Sequence, residues 1–214
     1  MQDKEILTIM MQINSLNPGV WMNAKLRLNP DNCAFVILPG PRSHNYREEN
    51  GCEIWLSLQK REVSSKLLIA GIREEPKIKK DDILKIIGKK NEMNLFLKDS
   101  AEHTKEQMQW VLDTLENEMP RVQHILLSTA IYHLPRGFLT LLKEMINRRL
   151  DHIVSTVPLF DTMNPERDFT GIKETGGNGI EGEIDRIVEY QKKGDVATIR
   201  EYLEYMKIRL NLFH

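Results

Sequence analysis

Five short apolar runs recur along this chain, each closing on a polar or glycine-containing turn and separated from the next by an amphipathic stretch. They are Ala34–Leu38, Lys66–Ala70, Asn94–Leu97, His124–Leu127 and His152–Val157. Short continuous apolar runs of this kind are the pattern of strands covered on both faces. Strands alternating with helices at this spacing imply βαβ units and a parallel sheet. The expected fold is a three-layer, Rossmann-like α/β arrangement of about five strands with helices on both faces. Right-handed crossovers follow from the handedness of such units.

The intervening segments read as helices at Glu53–Lys60, Asp81–Lys89, Thr104–Glu116 and along the amphipathic run Phe138–Arg148. A further helix opens the chain, with Ile6, Leu7, Ile9, Met10, Met11 and Ile13 on a broad apolar face, and Asn17-Pro18-Gly19 stops it. Residues 1–32 are expected to be a helix and connector packed on a main domain of residues 33–214. Two helices, near Ile180–Lys192 and Val196–Leu210, follow the long irregular stretch 158–180. Irregular stretches of that length are uncommon in compact domains unless they are functional or disordered.

Charge and composition narrow the function. A formal net charge of -1 with dispersed basic residues excludes a bulk attraction to nucleic acid. No apolar run approaches the roughly 20 residues of a membrane helix, and the first residues lack a signal-peptide pattern. A cytoplasmic protein is expected. The two cysteines, Cys33 and Cys52, fit a reducing compartment with no disulfide framework. Cys33 reads as a core residue, and Cys52 sits near the start of a helix. The histidines show no metal-ligand spacing, so no metal is expected. Oligomeric state is open.

In an open parallel sheet, ligands bind at the carboxyl ends of the strands. The first strand end supplies Gly40, for close backbone approach, and Arg42, for a phosphate or carboxylate. The second supplies Gly71. The third supplies Ser100, His103 and Thr104, with Thr104 as N-cap and Gln107 completing a capping box. The fourth is the densest: Ser128-Thr129-Ala130-Ile131-Tyr132-His133-Leu134-Pro135-Arg136. His133 and Arg136, three residues apart at a helix start, should face the same side. His133 is the candidate acid–base or ligand-contact group and Arg136 the candidate anion clamp.

Gly177-Asn178-Gly179-Ile180-Glu181-Gly182 spells the dinucleotide signature, but no strand directly precedes it and none follows its helix. A lid, a helix-start ligand contact or a plain connector are the alternatives there. No Walker phosphate loop, zinc-protease motif, Cys-x-x-Cys or Gly-x-Ser-x-Gly elbow is present.

The glycine turns at Gly40 and Gly71, the segment Ala101–Gln107 and the segment Thr129–Arg136 together resemble the motifs of the YdcF/SanA-like family. That family typically shows Ser-x-Asn-Thr-x-Glu-Asn and then Thr-x-x-Tyr-His-x-x-Arg. The fourth motif matches well. In the third, Ala101, His103 and Gln107 replace the usual serine, asparagine and final asparagine, and Lys98 stands where an acidic residue is usual. The resemblance implies a Rossmann-like fold and, by analogy with the soluble YdcF type, binding of S-adenosylmethionine or a related nucleotide. Gly40, Arg42, Gly71, Ser100, His103, Thr104, Thr129 and Tyr132 would then contact the ligand, beside His133 and Arg136.

Three functions remain open at this point. One is a small-molecule binding protein of the nucleotide type. Another is a hydrolase or transferase acting on a phosphorylated or glycosylated nucleotide or envelope precursor, with His133 as acid or base. The last is an interaction module that exposes Met10 and Met11.

Overall fold

The computed structural model describes residues 2–14, 32–39, 46–61, 65–71, 79–160 and 179–211. The chain runs α1 (Gln2–Asn14), β1 (Cys33–Ile37), α2 (Tyr46–Lys60), β2 (Ser65–Ala70), α3 (Lys80–Ile87) and a 3₁₀ turn at Lys89–Asn94. It continues with β3 (Leu95–Lys98), α4 (Thr104–Glu118), β4 (His124–Ala130), α5 (Leu134–Arg148), β5 (Ile153–Leu159), α6 (Gly179–Lys193) and α7 (Ile199–Asn211). The five strands form one all-parallel sheet in the order β3-β2-β1-β4-β5. This is the three-layer, Rossmann-like α/β fold expected from the apolar runs.

Alternation along each strand divides the core into two layers. Cys33, Phe35, Ile37, Leu67, Ile69 and Leu126 pack under α2 and α3, against Trp55, Ile83 and Ile87. Ala34, Val36, Leu38, Leu68, Ile125, Leu127 and Val154 pack under the other helices, against Met108, Leu112, Phe138 and Tyr202. Both faces are buried, which is why the strands read as unbroken apolar runs rather than alternating ones. The α1 helix joins the second layer through Ile6, Ile9, Met10 and Ile13, and Ile13 accepts a 2.6 Å hydrogen bond from Thr156 Oγ1. Met10 is therefore core, while Met11 is 68% exposed.

The topology follows from handedness. From β1 the chain steps outward through β2 to β3, then crosses back to β4 and steps outward to β5 on the opposite side. Right-handed crossovers taken in opposite directions place their helices on opposite faces. Adjacent β1 and β4 therefore send their following helices, α2 and α5, to different faces. Their carboxyl ends open a crevice at this switch point.

Several elements differ from their sequence-based bounds. Helix α2 begins at Tyr46, seven residues before the expected Glu53, so Cys52 lies mid-helix rather than at a helix start. Its first half was hidden because Arg47 and Glu48 are polar yet face inward. Strand β4 extends through Ser128, Thr129 and Ala130, whose small side chains are fully enclosed. The third strand begins at Leu95 and α3 ends at Ile87, where Gly88 takes φ +82°, a conformation glycine adopts without strain. No helix among the described residues is long and apolar enough to cross a membrane.

Candidate functional site at the switch point

Strand β4 ends at Ala130, and a three-residue turn carries the backbone into α5, with His133 as the residue capping its first turn. Pro135 sits in that turn, where a missing N–H costs nothing. Helical spacing then brings His133 and Arg136 together as expected: Arg136 Nη2 lies 3.0 Å from His133 Nδ1. A guanidinium can only donate, so Nδ1 is the acceptor and the imidazole proton resides on Nε2. Burial, followed by the Arg136 charge, lowers the His133 pKa to about 4 and keeps the ring neutral. Among the described residues nothing accepts a hydrogen bond from Nε2. His133 thus presents an N–H donor, which suits ligand contact better than proton abstraction.

Arg136 is held on three sides. Its Nε and Nη2 donate to Glu183 at 2.6 and 3.2 Å, and its Nη1 donates to Thr104 Oγ1 at 3.1 Å. Glu183 comes from α6, in the helix opened by the glycine-rich signature, and also accepts from Arg186 Nη1 at 2.8 Å. Burial opposes ionisation of Glu183, but the Arg136 guanidinium outweighs it and holds the carboxyl below the usual range. The signature's helix therefore contributes a buried carboxylate to the site.

A second arginine enters from the opposite face. Arg47, in the first turn of α2, reaches across the crevice to donate to Tyr132 Oη at 2.6 Å and to Thr129 Oγ1 at 3.5 Å. Thr129 Oγ1 in turn donates to the Leu38 carbonyl at 2.9 Å, fastening β4 to the end of β1. Next to Arg47, burial raises the Glu48 carboxyl to about 7, against the pull of its own backbone amide and of the Arg47 charge. Glu48 Oε2 is enclosed and has no hydrogen-bond partner. Both thiols are inert by comparison, since burial pushes Cys33 and Cys52 up to about 12.

Thr104, Thr129, Tyr132, His133 and Arg136 thus converge, and Arg47, Glu48, Glu183 and Arg186 join them unforeseen. Gly40 and Arg42 lie outside the described residues, as do Gly177 and Asn178. Gly71 is set apart at the end of β2, where its amide donates to the Lys98 carbonyl at 2.9 Å. Ser100 Oγ donates to Asp99 Oδ1 at 3.2 Å.

The capping expectation needs correction. His103, not Thr104, caps α4, with Nδ1 accepting from the Glu106 amide at 3.1 Å. Glu106 Oε2 reaches back to the Glu102 amide at 2.8 Å, the role assigned to Gln107. Gln107 is buried and donates to the Ala70 carbonyl instead. Thr104 is consequently released to accept from Arg136. Next to it, His103, Thr104, Lys105, Arg136, Tyr190 and Asp195 line a recess of about 210 Å³. Lys105 and Asp195 close one side with a 2.6 Å ion pair.

Fold and site together define a three-layer, Rossmann-like α/β protein whose polar cluster sits at the β1/β4 switch point. No family model matches the chain, and no curated protein or solved structure matches it.

Proposed function

We propose that the protein binds a nucleotide-type small molecule in the crevice between the carboxyl ends of β1 and β4, as a soluble protein of the YdcF type. S-adenosylmethionine is the ligand to which the resemblance of the Thr129–Arg136 motif points. A cytoplasmic setting belongs to the same proposal, in keeping with two free, buried thiols. The supporting observation is that Arg47 pairs with Tyr132, and His133 with Arg136, at the carboxyl ends of β1 and β4, with the two arginines coming from opposite faces of the sheet. Switch-point crevices are where open α/β sheets take their ligands. Thermal unfolding with millimolar S-adenosylmethionine and nucleotides tests the proposal. A stabilising shift is expected, reduced in His133→Ala, which loses the Nε2 donor. No shift with any of these ligands contradicts it.

A second reading, a hydrolase or transferase on a phosphorylated or glycosylated substrate, draws on Glu48. Its carboxyl near 7 is suited to proton transfer around neutrality, whereas His133 has its Nδ1 lone pair occupied. Turnover in a phosphatase, pyrophosphatase and methyltransferase panel that disappears in Glu48→Gln supports it. Ligand binding without turnover leaves the binding function alone.

A further inference from the structure

Arg136 and Arg186 both pair with Glu183. Among the described residues Arg47 has no such partner. The residue is 3% exposed, and its two side-chain hydrogen bonds end on uncharged hydroxyls, those of Thr129 and Tyr132. Its Nε is enclosed and makes no hydrogen bond. Among the described residues no carboxylate forms an ion pair with it. A buried charge without a partner is expensive, and folded proteins normally pair such groups.

The charge balance of the whole cluster points the same way. Within the buried part of the cluster, Arg47 and Arg136 carry two positive charges, Glu183 carries one negative charge, and His133 is neutral. Burial disfavours ionisation of the neighbouring Glu48, so one positive charge is left over. The donors around it are also of one kind. The Arg47 fork suits a planar or tetrahedral oxyanion. Tyr132 Oη accepts from Arg47, so its own proton is available, and His133 presents Nε2–H.

We infer that the missing counter-ion is a phosphate carried by the ligand, with Arg47 as the residue that binds it. The site then takes a phosphorylated nucleotide rather than S-adenosylmethionine. This rests on the nucleotide-type function proposed above and narrows it. S-adenosylmethionine brings a sulfonium and an ammonium against one carboxylate, so its net positive charge adds to the existing surplus. A phosphate monoester brings a charge of roughly -1.5 to -2 and three acceptor oxygens.

Calorimetric titration of the full chain with AMP, adenosine, inorganic phosphate and S-adenosylmethionine tests this. AMP is expected to bind at least tenfold more tightly than adenosine, and inorganic phosphate to compete with it. Arg47→Gln should abolish that tenfold advantage. Arg47→Lys, which keeps the charge but not the fork, should recover part of it in a chain that circular dichroism shows to be folded. The phosphate competition uses the unaltered protein and does not depend on either variant folding. Equal affinity for AMP and adenosine, or tighter binding of S-adenosylmethionine than AMP, overturns the phosphate assignment while the nucleotide-type function stands. Binding of none of the four overturns both.

Discussion

Arg136 and Glu183, 47 residues apart, form a two-pronged ion pair at 2.6 and 3.2 Å that ties the first turn of α5 to α6. Glu183 is almost wholly enclosed and Arg136 largely so. Removing one member of such a pair leaves the other charge buried and costs about 3 kcal/mol or more. Glu183→Ala should therefore destabilise the chain by about 3 kcal/mol in urea unfolding. The double variant Glu183→Met with Arg136→Met should lose less than the sum of the single changes. A loss below about 0.5 kcal/mol for Glu183→Ala, the range of an exposed pair, contradicts this account of the contact.

Acid should weaken the fold in a defined window. His133 and His124 are both held near 4, below the ordinary 6.5, first by burial and then by the charges of Arg136 and Arg209 respectively. A folded value below the unfolded one means that their contribution is complete above about 6.5 and is lost as the pH falls towards 4. Glu48 works in the opposite sense. Raised from 4.5 to about 7, it contributes fully below 4.5 and loses that contribution as the pH rises through 7. Between 4.5 and 6.5 the two histidines take up protons on unfolding and Glu48 releases one, a net uptake of about one proton across these three groups. Stability should fall as the pH drops through this range, and Glu48→Gln should steepen the fall. Urea midpoints that stay level or rise from pH 6.5 to 4.5 contradict the assignment.

Helix α2 lies against β1 through Gly51. A Cβ built there would come within 2.6 Å of Ile37 Cδ1 and 3.0 Å of its Cγ1, inside a sealed core layer. Gly51→Val should cost about 1–3 kcal/mol through overpacking. Because Arg47 lies one turn earlier on the same helix, ligand affinity should fall with it. An unchanged unfolding midpoint and unchanged AMP affinity would show that α2 can shift without consequence.

The sheet was legible because its central strands are covered on both sides, and runs such as Ala34–Leu38 and Ile125–Leu127 carry that fact openly. The His133–Arg136 pair was legible for a similar reason, since a spacing of three at a helix start leaves little geometric freedom. Arg47 and Glu48 were not, because inward-facing charged residues break the apolar period by which a helix is recognised. Glu183 was hidden by distance along the chain: nothing near it in sequence states that its partner is Arg136. The cap at His103 was missed because Thr104 is the stronger capping residue by preference. Tertiary contact with Arg136 claimed the threonine hydroxyl, and the preceding histidine took the cap.

The central claim is that ligand binds at the β1/β4 switch, between α2 and the Ser128–Arg136 segment. Amide hydrogen exchange with and without saturating AMP tests it directly. Slowed exchange is predicted in residues 46–52 and 130–137, with residues 119–123 and 150–153 at the opposite end of the sheet unchanged. Protection confined to that opposite end, or no protection anywhere at saturating ligand, contradicts it.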